Sequence, residues 1–419
     1  VRRDLNAQGA DTLLLSSLDD IAWLLNIRGG DVACCPVVLS YLAVEPSSAV
    51  LFANEAVFPA DLKNALAADG VTLAPYDAVY AHAAALKADS TVWLDEDKTN
   101  CALWNAANAA GRKIIAAPNP TALPKAVKNE TEVANARIAH LHDGIAMIQF
   151  LFWLKQNVGR QPITERSAAA HLETLRARQP HYLGPSFDPI IAYGPHGAIV
   201  HYSATEETDV PLQAEGFLLC DTGGHYLEGT TDITRTVALG PVSDEMKHHY
   251  TLVLRSHLAL LYARFLQGCR GSALDIIARQ PLWLEGLDYK HGTGHGVGYL
   301  LSVHEGPNNF RYASAGKDAV LEPGMILSDE PGLYLAGRYG IRLENLLVCR
   351  ELETSEYGRF FGFDALTLVP FDRDAIDPAQ LSPCERTWLN TYHAAVYESL
   401  APHLEAAERS WLAEATAEL

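Results

Sequence analysis

Over residues 1 to about 117, short apolar runs alternate with alanine-rich stretches. TLLLS (12–16), VVLSYLAVE (37–45), SAVLFAN (48–54), VTLAPY (71–76) and TVWLDE (91–96) predict strands, and AVYAHAAALKA (78–88) predicts a helix between two of them. That alternation predicts an α/β domain. Three prolines and several charges then fall within AAPNPTALPKAVKNETE, which reads as a linker. Beyond it the apolar period becomes helical. TEVANARIAHLHDGIAMIQFLFWLKQN (131–157) predicts a long amphipathic helix with Asn129 or Thr131 as its N-cap. A second long helix is predicted to follow Ser243 and to stop at Gly268, and residues 385–419 read as helix interrupted near Pro402.

Two acidic motifs in this second part share one plan. In GFLLCDTGGHYLEGTTDITRT, Asp221 closes an apolar run and Asp232 opens the next; in GMILSDEPGLYLAGRYGIRLENLLV, Glu330 and Glu344 stand in the same relation. Taken alone, Asp232 in its Gly/Thr-rich loop would be a turn aspartate. Four carboxylates abutting apolar strands are another matter, because burying them is costly unless something neutralises them. Two divalent cations would balance four carboxylates, and hard ions such as Mn²⁺ prefer carboxylate oxygen with an occasional imidazole; Zn²⁺ would also bind such a set. HGTGHGVGYLLSVHEGP supplies imidazoles at His291, His295 and His304, interleaved with glycines that let the backbone pack close to a site. In YGPHGAIVHYSATEET, His196 reads as a solvent-exposed turn residue, and His201 lies in the short run after it. HExxH, GxSxG and Walker patterns are absent, as is a cysteine pair spaced for zinc.

Composition narrows the partners. The 419 residues are 48% apolar and 20% charged, as in soluble proteins of two or three domains. With 51 acidic against 32 basic side chains the formal charge is −19, which repels nucleic acid and anionic membranes; neither is an expected partner. Seven cysteines (Cys34, Cys35, Cys101, Cys220, Cys269, Cys349 and Cys384), without a CxxC spacing, suit a reducing, cytoplasmic setting. No apolar run approaches the ~18 residues of a membrane span, and the sequence opens on a valine with no signal-peptide pattern.

DTGGHYLEGTTDITRT, HGTGHGVGYLLSVHEGP, SDEPGLY and GIRLEN stand here in the order characteristic of the pita-bread metallopeptidases, and the chain resembles the Xaa-Pro aminopeptidases (aminopeptidase P) among them. The resemblance implies an α/β domain like the creatinase N-terminal domain at residues 1–122. An α+β pita-bread catalytic domain with pseudo-two-fold symmetry is implied at 123–419. The GVG variant of the histidine motif is similar to the cytosolic eukaryote-like branch, whose members carry two related α/β units before the catalytic domain. One such unit is present here, which fits either a chain that continues upstream or a naturally shorter protein.

Carried onto these residues, the resemblance implies that Asp221 caps one metal while Asp232 and Glu344 bridge two. His295 and Glu330 complete the ligand set, and Glu330 takes the proton of the attacking water. His201 and His304 contact substrate, shuttling protons or steadying the tetrahedral intermediate. His291 lines the proline pocket, and Arg342 stands behind the bridging glutamate. The implied reaction is hydrolysis of the bond between an N-terminal residue and a following proline, by a hydroxide bridging the two metals. The substrate amine would lie near Asp221 and Asp232. Prolidase shares these ligands but takes dipeptides; ITRT after Asp232 and the long VHEGP arm favour the aminopeptidase. Creatinase lacks the ligands, methionine aminopeptidase needs no such N-terminal domain, and a non-catalytic peptide-binding pita-bread module would have lost ligands that are all present here. A homodimer through the catalytic domain is implied as well, although Trp388, Tyr392, Tyr397 and Trp411 of the terminal helical stretch could equally pack within one chain.

Overall fold

Strand segments that lack polar alternation are buried on both faces, and such segments form the first sheet. The computed structural model describes residues 1–314, 316 and 318–419, and divides the chain into two compact units, Val1–Lys125 and Ala126–Leu419. In the first unit, strands β1 (Thr12–Leu15), β2 (Ser40–Val44), β3 (Ala49–Ala53), β4 (Val71–Ala74), β5 (Thr91–Leu94) and β6 (Lys113–Ala116) form one sheet, ordered β4-β3-β2-β1-β5-β6. The β1–β2 and β2–β3 pairs are antiparallel and the outer pairs parallel. Leu13 and Leu15 pack with Leu5, Ile21 and Leu42 on one face, and Leu14 packs with Val79, Val92 and Leu103 on the other. Both faces are covered by helices α1 (Arg2–Gln8), α2 (Leu18–Leu25), α3 (Ala60–Ala68), α4 (Ala78–Ala85) and α5 (Cys101–Asn108). All five predicted strands form. The sixth, KIIA, carries no clear strand pattern, with both of its end residues exposed. The stretch read as a linker is ordered in part, with a short helix α6 at Ala122–Ala126.

The second unit opens with α7 (Glu130–Asn157), the predicted long helix. Asn129 caps it, and a reciprocal bond from its own backbone N–H to Glu132 completes a capping box. Helix α8 (Glu165–Arg176) packs beside it. Strands β7 (Tyr182–Pro185), β8 (Ile190–Tyr193), β9 (Phe217–Thr222), β10 (Gly224–Tyr226), β11 (Gly229–Thr230) and β12 (Ile233–Ala238) follow, with β8, β9 and β12 forming an antiparallel sheet. After α9 (Asp244–Leu261) come β13 (Phe265–Leu266), α10 (Gly271–Trp283), β14 (Gly294–Gly296), β15 (Glu305–Phe310), β16 (Ile326–Asp329), β17 (Gly332–Leu335), β18 (Tyr339–Arg342), β19 (Asn345–Ser355) and β20 (Gly358–Ala365). The second sheet runs β13-β20-β19-β16-β14-β15. Its β16–β19 pair repeats the plan of β9–β12: each is antiparallel, with one carboxylate at the end of the first strand and another just before the second.

Helix α9 ends at Leu261, short of the predicted stop at Gly268. Tyr262 caps it and stacks on Trp388 (ring centroids 5.1 Å, interplanar angle 6°), and the next residues leave to pair with β20. The terminal helices α11 (Pro383–Leu400) and α12 (Ala406–Ala415) are separated by a 3₁₀ turn containing Pro402, as expected. Their aromatics pack within the chain: Trp388 on Tyr262, Tyr392 in the main core, and Trp411 against Phe152.

Candidate metal centre

Five side chains from two strand pairs and one glycine-flanked strand meet in one cavity. Asp221 lies in β9 opposite Thr234 of β12, and Asp232 immediately precedes β12. Glu330 follows β16 and Glu344 precedes β19, while His295 is the middle residue of β14. One donor atom each from Asp232, His295 and Glu344 lies within 4.8 Å of the others. His295 Nε2 is 3.5 Å from Asp232 Oδ2 and 3.4 Å from Glu330 Oε1. All five open on a cavity of about 560 Å³, which His201, His291, His304, Arg311 and Arg342 also line. The glycines around His295 are steric necessities. A Cβ at Gly294 would stand 1.9 Å from the Ser328 carbonyl oxygen, and one at Gly296 2.2 Å from that of Glu305.

Bonds behind these side chains aim them. Nδ1 of His295 faces the Gly296 carbonyl at 3.0 Å; a carbonyl only accepts, so Nδ1 holds the proton and Nε2 turns toward the carboxylates. Ser328 Oγ accepts from the His295 N–H (3.0 Å) and donates to Glu330 Oε1 (3.1 Å). Thr234 Oγ1 donates to Glu344 Oε2 at 2.6 Å, and the Glu344 N–H donates to the Thr234 carbonyl at 3.1 Å, tying the two halves together. Arg342 engages Asp221 more directly than Glu344, its neighbour in sequence. It donates to Asp221 Oδ2 (2.5 Å) and to the Tyr334 hydroxyl (2.9 Å), and it reaches Glu344 only through Thr234 (3.4 Å). The Tyr334 hydroxyl in turn meets His291 Nε2 at 2.8 Å, so Asp221, Arg342, Tyr334 and His291 form one chain of bonds. Tyr334 was not singled out in the sequence, although it stands in SDEPGLY, four positions after Glu330.

The electrostatics call for cations. Burial, reinforced by neighbouring carboxylates, pushes Asp232, Glu330 and Glu344 above the usual carboxylate range. Burial would lower His295, but Asp232 and Glu330 outweigh it and raise the imidazole to about 9. Burial lowers His291 to about 4, so it is neutral near pH 7; His304, open to the cavity, is lowered by the part of its ring that packs inward and by the neighbouring His295. Asp221 Oδ1 and Glu344 Oε1 are buried with no hydrogen-bond partner. Two orphaned carboxylate oxygens beside an imidazole nitrogen aimed at the carboxylates fit divalent metal, and the oxygen-rich donor set suits hard ions.

His201 is exposed on the loop after the 3₁₀ turn Gly194–Ala198 and reaches the mouth of the cavity. His304 stands edge-on to His295, ring centroids 4.2 Å apart. His196 stays outside the cavity. It is not the solvent-exposed turn residue expected: its side chain is 26% exposed and bonds to the buried Glu165, which lies too far away in sequence to have been matched to it.

Residues 134–351 match metallopeptidase family M24, residues 1–132 the creatinase/prolidase N-terminal domain, and residues 359–419 the C-terminal region of peptidase M24. The chain belongs to metallopeptidase family M24. Among M24 proteins it is 38% identical to a probable Xaa-Pro aminopeptidase P of Arthroderma gypseum, over 99% of this chain and 68% of the relative. It is also 38% identical to Xaa-Pro aminopeptidase 1 of Dictyostelium discoideum, over 97% of this chain and 65% of that protein. The chain thus spans about two thirds of the length of these relatives. The X-prolyl aminopeptidase of Caenorhabditis elegans, described as a cytosolic enzyme with a di-nuclear active site, superposes with a TM-score of 0.95 at 35% identity, over all of this chain and 69% of that one. The prolidase of Pyrococcus furiosus, 20% identical, shares the fold with a TM-score of 0.66, over 88% of this chain and 99% of that one. The M24 unit is a pita-bread fold, preceded by a creatinase-type N-terminal domain.

Proposed function

We propose that this chain is a metal-dependent aminopeptidase that hydrolyses the bond between an N-terminal residue and a following proline. The observation that carries the reading is the convergence of Asp221, Asp232, His295, Glu330 and Glu344, with buried oxygens of Asp221 and Glu344 left unbonded. Asp221, Asp232, His295, Glu330 and Glu344 would together hold the two ions. When bound, two divalent cations supply Lewis acidity and an acidified water at neutral pH. Mn²⁺ is the ion favoured by four carboxylates and one imidazole, and Zn²⁺ is the alternative.

Around the ligands, this chain's side chains divide the remaining work. Glu330, at the cavity wall, accepts the proton of the attacking water at its carboxylate. His304 and His201 face the scissile carbonyl and donate to its oxygen as negative charge gathers there. His291, kept neutral and tethered by Tyr334, forms a flat wall for the proline ring. The substrate amine is held on the Asp221 and Asp232 side, where Arg342 fixes the orientation of Asp221. A peptide therefore enters with its N-terminus first. Proline at the second position leaves an imide nitrogen without hydrogen, so selectivity falls to the shape of the ring pocket.

A reducing, cytoplasmic location agrees with seven cysteines scattered without a paired spacing, and the proposed assembly is a homodimer through the catalytic domain. Among the described residues, no helix is long and apolar enough to cross a membrane. The deciding experiment compares Arg-Pro-Pro, Ala-Pro and Arg-Ala-Ala, with chelator and with added Mn²⁺. Metal-dependent release of arginine from Arg-Pro-Pro alone is expected. Cleavage of Ala-Pro alone would make the chain a prolidase, and no turnover with any metal would point to a peptide-binding role.

A further inference from the structure

Glu165, the first residue of α8, is fully buried and lies outside the metal centre, and among the described residues its ion-pair partner is His196 and no lysine or arginine. An ionised carboxylate in that setting is costly unless donors surround it. Three do. The Tyr193 N–H donates to Oε1 at 2.7 Å, His196 Nδ1 donates to the same oxygen at 2.9 Å, and the Tyr202 hydroxyl donates to Oε2 at 2.8 Å. A carboxylate only accepts, so the His196 proton resides on Nδ1. The rings of His196 and Tyr202 stack with centroids 4.4 Å apart, closing the loop on itself over the carboxylate.

All three donors belong to residues 193–202, the segment that carries His201. Tyr202, 7% exposed, is the anchor next to it, while His201 itself is exposed at the mouth of the metal cavity. The segment leaves β8 at Tyr193 and forms the 3₁₀ turn Gly194–Ala198, after which Ile199 bonds back to His196 and Tyr202 to Ile199, both at 3.0 Å. Its other fixed point is a backbone contact. Gly197 lies against Gly340 of β18 so closely that a Cβ at Gly340 would stand 1.6 Å from the Gly197 carbonyl oxygen. Two residues on, the same strand ends at Arg342.

We infer that Glu165 is a positioning residue for His201: one buried carboxylate grips the loop on both sides of the histidine and holds its imidazole over the reacting carbonyl. The inference rests on the reading of His201 as a group that contacts substrate. It gives His196 a task, which is to bridge Glu165 and Tyr202 without touching the substrate.

The test is a double-mutant cycle in the Mn²⁺-loaded full chain, with Glu165→Gln, His201→Ala and both together, assayed on Arg-Pro-Pro. Metal content and hydrogen exchange of amides 195–204 are measured in parallel. Tyr202→Phe, which deletes one donor and leaves the ring, repeats the cycle in case Glu165→Gln does not fold. Glu165→Gln is expected to lower kcat about tenfold with KM little changed, to speed exchange over 195–204 and to keep the full metal complement; in the His201→Ala background it should cost nothing further. An equal loss of kcat in both backgrounds, or loss of metal, would overturn the inference, since Glu165 would then act elsewhere. Unchanged kcat in Glu165→Gln alongside an impaired His201→Ala would also overturn it. Full activity in His201→Ala would remove the reading of His201 and, with it, the role assigned to Glu165.

Discussion

A carboxylate that must hold a cation is a poor neighbour in the cation's absence. Glu344 is buried beside Asp232 and Glu330, with one oxygen bonded to Thr234 and the other to nothing. Glu344→Gln should therefore stabilise the metal-free chain by about 1–2 kcal/mol in urea unfolding with chelator, while abolishing the tight uptake of metal seen by calorimetry. A less stable metal-free variant would contradict that account. Arg342 is the opposite case. It is the cation already built into the site, and Arg342→Gln leaves Asp221 buried without its partner, at a cost of about 3–5 kcal/mol in the same assay. The convergence of the five proposed ligands on one cavity was legible because the same acid–strand plan occurs twice, and a pattern seen twice is hard to dismiss as turn chemistry. The partners behind it were not. Tyr334 reads as an ordinary strand tyrosine until its hydroxyl is seen between Arg342 and His291, and Glu165 and His196 are 31 positions apart.

At the scale of elements, local signals did well where they were truly local. Asn129 and Glu132 form the capping box of α7, and Asn129→Ala should cost about 1 kcal/mol of stability, with no change in metal binding, in chemical denaturation of the second unit. Gly268 misled because the apolar pattern runs on through Ala263 and Phe265. Those residues serve the main core from outside the helix, a tertiary preference that helical periodicity does not register. Helices α7 and α11 also carry two buried histidines far along their inner faces. Burial lowers His140 to about 4 and His393 to about 3, against 6.5 for an open imidazole. The unfolded chain therefore takes up these protons first as the pH falls. Their contribution is intact above about 6.5 and drains as the pH drops toward 4, by about 1.4 kcal/mol per pH unit for each ring. Replacing His140 with glutamine should flatten that slope in pH-dependent urea melts; an unchanged slope would mean that this ring does not titrate on unfolding.

For the molecule as a whole, the two units have separate cores, and the proposed metal ligands all belong to Ala126–Leu419. Calorimetry of the chain with chelator should show two transitions. Metal at one hundred times its dissociation constant should raise the one belonging to the second unit by about 2.7 kcal/mol per ion and leave the other in place. A shift of both by the same amount would show that the units unfold as one. The alternation of strands and helices announced the first unit's architecture. The strand order of the second did not follow from its sequence, because β14 and β16 reach their places in the sheet through glycine contacts that only the folded backbone reveals.

The bond between Thr234 and Glu344 joins positions 110 residues apart, one from each acidic motif. A ribosome moving at about 5–20 residues per second needs roughly 5–20 s to cross that interval. For most of it, until Glu330 emerges, the nascent chain displays Asp221 and Asp232 without either of the later carboxylates, half of the proposed cradle. Metallation is thus a late event in the life of the polypeptide, and the first acidic hairpin must remain soluble and uncommitted until its counterpart has been made.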